Sequence, residues 1–468
     1  MTNFKIYIKS LLIGVSVIGA VSLTSCKDEP DKYEVQSGTP SVDYIRCLSS
    51  EIVGNNDAAD THYTNGELVE EASPSSVIAL VGSNLRSVVE VKFNDQTAIL
   101  NTSYMTDNSL IVSVPKSVPT KVTDVIYLKN ENGDVVEVPF HVIIPAPDIA
   151  GMDCEYTDPG EETTLTGQYF VDDPSTPLAI YFKDEEGNNV EATIKDIASD
   201  YSSVKVVIPE SAVEGSITAT SIYGTSTSTF HYKDTRGMLF DFDTPNSATG
   251  GVLGNHGWHA RTITSDDTSL SGNYVQLGPA TLDEAAGWND GDFSFEYWPG
   301  NWEDPETYTA ADGPRLTDVA DFKNWQSMAL KFELYVPKDN PWMAGALQII
   351  PAPVTVVSYG NAGAVDVYGN VLGGCNNTFI SGDGVDVPRA MYRPWTTTGS
   401  YDTGDKWVTV TVPLSSSFTF NASGGAATDK LSADSFASLT MFLCGGGING
   451  TECNPILKID NIRVVPYK

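Results

Sequence analysis

The stretch GSNLRSVVEVKFND, residues 82–95, decides the fold of the N-terminal half, because the chain repeats its layout. It is followed by a strand-like run, SLIVSVP, at 109–115. The same order returns in the segments GQYF (167–170), IYFKD (180–184) and SVKVVIP (203–209). The offset is 85 residues at the glycines and 94 at the prolines, so the second copy carries an insertion. A repeat of this period, built from short Val- and Ile-rich strands, predicts two β-sandwich domains in tandem.

The first copy contains further runs typical of strands, at 77–82, 125–128 and 135–144. Asn132-Gly133 lies between the last two runs and predicts a hairpin with a type I′ turn, in which both central residues have positive φ. Pro139 cannot donate a backbone hydrogen bond, so the strand after this turn is predicted to be an edge strand.

The composition changes at about residue 237, and all eight tryptophans follow it, at 258, 288, 298, 302, 325, 342, 395 and 407. Alternation of Trp407, Thr409 and Thr411 with valines is typical of a half-buried strand. Other strand runs are ALKFELYV (329–336), ALQIIPA (346–352), LTMFLC (439–444) and LKIDNIRVVPYK (457–468). The fold class is therefore predicted to be all-β, with a larger β-sandwich or jelly roll over 236–468.

The N-terminus has the features of an export signal. Lys5 and Lys9 precede an apolar run of 13 residues at 11–23, which is too short to span a bilayer. The run ends at Leu-Thr-Ser-Cys26, which resembles the lipobox of bacterial lipoproteins; the alternative is a plain secretory signal with a chance cysteine. We expect a signal peptide at 1–25, and lipidated Cys26 with a charged tether at 26–38. Lys27-Asp28-Glu29 resembles an acidic export tag for the outer face of the outer membrane.

The net charge is −34, from 61 acidic and 27 basic residues. A field of this sign repels phosphate, so nucleic acid and anionic lipid headgroups are poor partners. A neutral polysaccharide has no such penalty.

Metal and cofactor signals are weak. The sequence has five histidines and neither a CxxC motif nor a Cys/His cluster, so we predict no zinc site and no cofactor. Asp241, Asp243 and Asp460 could meet where the first and last strands of the C-terminal domain pair. They would either hold a structural Ca²⁺ or cap turns and bond backbone amides. Cys444 and Cys453 flank a Gly-rich loop and could form a disulfide.

The stretch EYWPGNWEDP, residues 296–305, places two tryptophans on either side of a Pro-Gly turn. An aromatic ring can cover the C–H face of a sugar, at about 1–3 kcal/mol per ring by analogy with base stacking. We therefore predict a glycan-binding platform at Trp298 and Trp302; the alternative is that the two rings are core. The other candidates are Tyr297, Trp342, Tyr392 and Trp395. Trp258 and Trp288 are loop residues that rank behind them, whereas Trp325 and Trp407 are interpreted as core or edge residues.

The repeated Gly-x-x-Leu/Phe turns resemble those of IPT/TIG immunoglobulin-like domains, which the repeat places at 39–145 and 146–235. With FDFDT (240–244), GNHGWH (254–259) and IDNIRV (459–464), the mature chain resembles surface glycan-binding proteins of Sus-like polysaccharide-utilisation systems. The resemblance implies a C-terminal domain that binds xyloglucan or a related β-glucan and immunoglobulin-like spacers before it. It also implies a lipid anchor in the outer membrane, a TonB-dependent transporter and a partner glycan-binding lipoprotein. We expect residues 237–468 alone to bind glycan, with pivots at 145–150 and 233–237.

Two other functions remain open. A glycoside hydrolase needs two carboxylates at a set separation, and Glu296, Glu303 and Asp304 lie near the tryptophan pair. Acidic residues are expected everywhere in this chain, however, and no Gly-x-Ser-x-Gly, HExxH or P-loop motif occurs. The other alternative is a structural or adhesin-like protein. We expect a binding protein and no enzyme.

Overall fold

The computed structural model describes residues 33–49, 65–245, 251–257, 259, 261–298, 314–352 and 387–467. The predictions for the signal peptide, Cys26, Trp302, Glu303 and Asp304, and for the side chain of Trp258, lie outside these residues. No helix among the described residues is long and apolar enough to cross a membrane. The described residues form two compact units. The first contains 33–49, 65–116 and 124–142, and the second contains 117–123 and the described residues from 143 onwards.

The first unit is a β-sandwich. Its strands are β1 Ser41–Ser49, β2 Glu71–Ala72, β3 Val77–Ser83, β4 Val88–Phe93, β5 Gln96–Thr97, β6 Ser109–Ser113, β7 Val125–Asn130, β8 Val135–Pro139 and β9 His141–Val142. One sheet has the order β1-β3-β6 and the other β5-β4-β7-β8, while β2 and β9 form a short parallel pair. Strands β3, β4, β6, β7 and β8 confirm the predicted runs, and β8 is an edge strand, as Pro139 predicts.

The predicted hairpin forms between β7 and β8, but the predicted turn type is wrong. Gly133 has a φ of +89°, whereas Asn132 is not among the residues with positive φ. Asn130 pairs with Asp134 across the turn, which leaves a three-residue loop. In a loop of this length, a single left-handed glycine after a type I turn closes the hairpin.

The second sandwich has eight strands, β10 Asp148–Met152, β11 Glu162–Gln168, β12 Ala179–Lys183, β13 Asn189–Glu191, β14 Thr193–Ile197, β15 Ser203–Val207, β16 Val213–Ser221 and β17 Gly224–Tyr232. They form two antiparallel sheets, in the orders β10-β11-β15-β14 and β13-β12-β16-β17. The core between the sheets contains Phe170, Phe182 and Phe230.

The repeated turns have the same geometry in both sandwiches. A Cβ atom on Gly82 would lie 1.9 Å from the Ser41 carbonyl oxygen, and one on Gly167 would lie 1.8 Å from that of Asp148. The third residue of each turn is left-handed, with φ of 56° at Asn84 and 60° at Tyr169. The fourth residue, Leu85 or Phe170, is fully buried. The glycine therefore permits a close approach of two strands, and the Leu or Phe anchors the turn in the core.

The C-terminal domain is a larger sandwich. Its strands are β18 Met238–Phe240, β19 Ile263–Thr264, β20 Tyr274–Leu277, β21 Ser294–Tyr297, β22 Met328–Tyr335, β23 Ala346–Ala352, β24 Ala390–Tyr392, β25 Val408–Pro413, β26 Ser438–Cys444 and β27 Leu457–Pro466. One sheet has the order β19-β20-β27-β22-β25, with β18 also paired to β27, and the other has the order β21-β26-β23-β24. Three single-turn helices are α1 Asp290–Phe293, α2 Leu316–Val319 and α3 Leu414–Ser417. The largest core of the second unit lies between these sheets, and the strands confirm the all-β prediction.

The predicted pivot at 233–237 is wrong, because the second sandwich and the C-terminal domain share one compact unit. Asp234 is fully buried and accepts hydrogen bonds from the Arg236 side chain. The Lys233 amide donates to the Glu155 carbonyl at 2.8 Å, and the Tyr156 hydroxyl donates to the Asp234 carbonyl at 2.7 Å. These bonds fix the start of the segment, and its other end is fixed by the Val464 amide, which donates to the Gly237 carbonyl at 2.9 Å. The pivot at 145–150 stays a prediction.

Candidate functional site

The aromatic pair of the sequence prediction begins at the end of β21, where Trp298 is 0% exposed. Its Nε1 donates to the Thr440 hydroxyl on β26 at 2.8 Å, and its backbone amide donates to the His256 carbonyl. Tyr297 is also buried, and its hydroxyl donates to the Pro314 carbonyl. The expectation that these rings are displayed is therefore wrong. Although Pro299-Gly300 follows Trp298 in the sequence, the indole packs between the sheets and its N–H has a hydrogen-bond acceptor there.

Trp342 and Trp395 are buried too, so the expectation of displayed rings is wrong for both. Each indole donates to a nearby backbone carbonyl, Trp342 to Ala344 at 2.7 Å and Trp395 to Gly345 at 2.6 Å. A ring without exposed surface cannot cover a sugar face, so these residues are core. Trp407 is buried, which confirms its interpretation.

Two predicted platform residues are not excluded by burial. Tyr392 is half-buried on β24 and packs against Trp342, with ring centroids 6.0 Å apart. Burial raises the pKa of its hydroxyl well above the usual range. Trp302 lies outside the described residues, and its role stays a prediction.

Trp288 is the most exposed of the six tryptophans whose side chains the structure describes, at 50%. It lies in the loop between β20 and α1, and its ring meets Phe442 of β26 edge-on, with centroids 4.9 Å apart. Phe442 is buried and therefore gives the indole a fixed support. From the sequence, Trp288 ranked behind the other candidates. The sequence feature that could have identified this residue is its position after Gly287 and directly before Asn289-Asp290, where a helical turn starts.

Hydrogen-bond acceptors surround the base of this loop. The Asn289 side chain caps α1 by accepting from the Asp292 amide, and its Nδ2 donates to the Asp292 carboxylate. The Asp290 carboxylate lies 3.3 Å from His259 Nε2. Arg261 is engaged with the backbone carbonyls of this turn, among them that of Gly291 at 2.9 Å. The loop therefore presents carboxylates and amides beside the indole, while its arginine holds the backbone in place.

A glycine-rich loop runs beside the Trp288 loop. The Gly445 amide donates to the Ala286 carbonyl, and the Gly450 amide donates to the Glu284 carbonyl, each at 2.8 Å. Gly445, Gly446 and Gly447 have φ values of 50°, 98° and 73°. Gly447 is exposed whereas Gly446 is buried, and the loop borders the segment that leads to Trp288. An extended polymer could lie across the exposed parts of the two loops, with one sugar on the ring and hydroxyls near the acceptors.

The comparison with known families bears directly on this domain. Residues 232–466 match a protein family, the xyloglucan binding domain of surface glycan-binding protein B. The chain is 46% identical to the surface glycan-binding protein PbSGBP-B from Prevotella bryantii, over 92% of this chain and all of that one, with a TM-score of 0.79. The chain belongs to the family of surface glycan-binding proteins B. Glycan binding at the cell surface is therefore its function.

A curated relative supports the assignment of IPT/TIG domains to this surface glycan-binding protein. An IPT/TIG domain-containing protein of Bacteroides ovatus is 25% identical over 225 residues, which are 46% of this chain. The match spans 42% of the length of that relative. Together with the solved relative, it bears out the resemblance to a surface glycan-binding protein with IPT/TIG domains.

The three aspartates considered for calcium each accept backbone N–H groups in this surface glycan-binding protein. Asp241 accepts from the Asp243 and Thr244 amides, Asp243 from the Asn273 amide, and Asp460 from the Asn461 amide. These contacts agree with the interpretation that the aspartates cap turns or bond backbone amides, and the calcium site stays a prediction. Burial raises the pKa of Asp460 to about 8, and the carboxylates of Glu333 and Asp243 act in the same direction.

Cys444 and Cys453 are free thiols, so the disulfide considered from the sequence does not form in this structure. Cys444 Sγ accepts from Gln348 Nε2 at 3.3 Å, and burial raises the pKa of the Cys444 thiol to about 12. Cys453 packs in the core, where its backbone pairs with Leu282. The Cys444 sulfur therefore bonds a glutamine side chain, whereas Cys453 is part of the hydrophobic core.

Within the described residues, one group of side chains has metal-ligand spacing: Glu214, His231 and Asp234. Asp234 is paired with Arg236 at 2.8 Å, and Glu214 accepts from the backbone and hydroxyl of Thr235. Both carboxylates therefore already have donors, and the guanidinium opposes a cation at this position.

Proposed function

We propose that the protein holds xyloglucan or a related neutral β-glucan on its C-terminal domain, at the surface around Trp288. The observation that carries the proposal is the match of residues 232–466 to xyloglucan binding domains, in a domain where Trp288 is the most exposed of the described indoles. The net charge of −34 favours an uncharged polymer.

In this proposal the indole covers the C–H face of one sugar, while the carboxylates of Asp290 and Asp292 and the amide of Asn289 accept or donate hydrogen bonds to hydroxyls. One stacked ring contributes about 1–3 kcal/mol, so micromolar binding, about 8 kcal/mol, needs further contacts. Trp302 and Tyr392 are the remaining aromatic candidates for these contacts.

The proposal extends to the membrane. Cys26 would carry the lipid that anchors the mature chain in the outer membrane, and the charged residues that follow it would form the tether. A TonB-dependent transporter and a partner glycan-binding lipoprotein would take up what this protein captures. The apolar run at 11–23 that stops at Leu-Thr-Ser-Cys26 supports this anchoring.

We also propose that the protein does not hydrolyse its ligand. Glu296, a carboxylate considered for catalysis, is fully buried in β21 and accepts from the Ser294 hydroxyl at 2.8 Å. A carboxylate in this position faces a neighbouring side chain and lacks the solvent access that an attacking water requires.

Titration calorimetry on the mature chain tests the binding proposal, with soluble xyloglucan and mixed-linkage β-glucan as ligands. We expect Trp288→Ala to lower the affinity about 10- to 100-fold, the equivalent of one stacked ring. The control is Tyr104→Ala, an exposed aromatic of the first unit, which should leave the affinity unchanged. Trp302→Ala and Tyr392→Ala measure the other two candidates. Unchanged affinity in Trp288→Ala would remove this residue from the site, and release of reducing ends by the wild type would refute the non-enzymatic proposal.

Cys26→Ala tests the anchor separately. The variant should remain unprocessed or be released from cells, because the lipidated residue is lost. Whole-cell labelling with an antibody reads the surface amount, and normal surface levels of the variant would contradict the lipid anchor while leaving the glycan proposal untouched.

A further inference from the structure

We infer that the second sandwich is a structural part of the glycan-binding domain, because its Glu155 completes a buried ion cluster that the C-terminal domain cannot balance alone. Residues 143–467 then fold and unfold as one cooperative body. The sandwich is thereby more than a spacer, and it holds the glycan-binding surface at a constant orientation to itself.

The ion cluster consists of Glu155, from the second sandwich, and Lys331, Glu333 and Arg463, from β22 and β27. Lys331 Nζ donates to Glu155 Oε1, and Arg463 Nη2 donates to Glu155 Oε2 at 2.7 Å. Arg463 also contacts the Glu333 carboxylate with both terminal nitrogens, at 2.7 and 3.0 Å. Glu155 is therefore the bridge between the two cations.

The charges of the ion cluster balance only when both domains are present. Two carboxylates face two cations, and the four side chains are at most 3% exposed. Without Glu155, Lys331 and Arg463 would share one carboxylate, Glu333, in a site from which water is excluded. An uncompensated buried charge is strongly destabilising.

A hydroxyl and a backbone pair continue the ion cluster across the boundary. Thr409 Oγ1 on β25 accepts from the Glu155 amide at 2.8 Å and donates to Glu333 Oε1 at 2.9 Å. The Thr409 amide donates to the Asp153 carbonyl at 2.8 Å. The segment around Glu155 is thus hydrogen-bonded to a strand of the C-terminal sheet through both its backbone and its side chain.

Aromatic residues of the second sandwich and the C-terminal domain also pack together where the two domains meet. Tyr156 and Cys154 of the second sandwich pack in one buried cluster with Tyr274, Tyr335 and Trp407 of the C-terminal domain. The Arg463 guanidinium lies 5.0 Å from the Tyr156 ring centroid, and Lys331 Nζ lies 4.7 Å from that of Phe230. The cations of the ion cluster are therefore sheltered by rings of the sandwich, which keeps water away from them.

Pulsed hydrogen exchange with mass spectrometry along a urea gradient tests the inference on the full mature chain. In the wild type, peptides from β15 of the second sandwich and from β22 of the C-terminal domain should share one unfolding midpoint. Glu155→Gln should lower both midpoints together by about 1 M urea, the equivalent of one broken buried pair in a unit of this size. The matched control is Glu162→Gln, which removes an exposed pair with Lys205 and should move neither midpoint measurably.

Thr409→Val covers the case in which Glu155→Gln does not fold. It removes the bridging hydroxyl alone and should lower both midpoints together by a smaller amount, a few tenths of a molar. Separate midpoints for β15 and β22 in the wild type would overturn the inference. So would a shift of the β15 midpoint in either variant with β22 unmoved, because each domain would then be stable by itself.

Discussion

Substitution of Trp298 separates the two interpretations of the tryptophan pair, a displayed platform and a core. The indole is 0% exposed, it packs in the core between the two sheets, and its Nε1 donates to Thr440 Oγ1 at 2.8 Å. Trp298→Ala would leave a cavity in the core between the two sheets and a buried hydroxyl, that of Thr440, without its donor.

The cost follows from these two losses. Truncation of a buried large aromatic to alanine costs about 3–5 kcal/mol, and an unsatisfied buried hydroxyl costs about 1–3 kcal/mol more where no water replaces the donor. We therefore expect the free energy of unfolding of the second unit to fall by about 4 kcal/mol or more. Trp298→Phe keeps one six-membered aromatic ring and loses the N–H group, so about 1–2 kcal/mol should be lost beyond the cost of the smaller ring.

Urea unfolding followed by tryptophan fluorescence measures this loss. All eight tryptophans follow residue 257, so the signal reports the second unit and not the first. The reasoning is refuted if Trp298→Ala unfolds at the wild-type urea concentration and binds glycan more weakly, because that combination belongs to an exposed ring.

Two further predictions follow from single contacts. Gly167→Ala would place a Cβ 1.8 Å from the Asp148 carbonyl oxygen, so the free energy of unfolding measured in urea should fall by about 1–3 kcal/mol or more. The control is Gly291→Ala, whose Cβ would have no neighbour closer than 3.6 Å and which should have a much smaller effect. Asp460 has a pKa of about 8 in the folded protein, above its ordinary 3.8, so the fold keeps a proton that the unfolded chain releases. Stability should therefore fall as the pH rises from about 4 to 8, by up to about 1.4 kcal/mol per pH unit from this group, and Asp460→Asn should remove that slope. An equal slope in Asp460→Asn would show that other groups cause it.

The strands were predictable because burial on one face imposes a period of two. The run 407–414 contains β25 and the run 346–352 coincides with β23. The repeated Gly-x-x-Leu/Phe turns were predictable because the first position of each turn admits only glycine. A Cβ atom on Gly82 or Gly167 would lie 1.8–1.9 Å from a carbonyl oxygen of the neighbouring strand. Both constraints appear directly in the sequence, as alternation along a strand and as a glycine at a fixed position of each turn.

The junction of the second sandwich with the C-terminal domain was not predictable, since its partners are distant in the chain. Glu155 lies 176 residues from Lys331 and 308 from Arg463. In a chain with 61 acidic residues, nothing local distinguishes this glutamate from the exposed ones. The pivot at 233–237 was predicted because the ion cluster that joins the two domains cannot be read from the sequence.

The domain that binds glycan was predictable, whereas the burial of its individual indoles was not. The concentration of tryptophans after 257 indicated the right domain, but whether an indole is core depends on what covers it. Trp298 precedes Pro299-Gly300 in the sequence and is covered by the two sheets, whereas Trp288 precedes Asn289-Asp290 and is half exposed. Turn residues report the local backbone path, and they carry no information on tertiary burial.

A crystal structure of the mature chain with a xylogluco-oligosaccharide would locate the bound glycan directly. We expect a sugar ring stacked on the Trp288 indole at van der Waals distance, about 4 Å, with the chain passing the loop at 445–450 and hydroxyls near Asp290 or Asp292. An oligosaccharide bound elsewhere on the domain, with the Trp288 ring in contact with solvent alone, would contradict it.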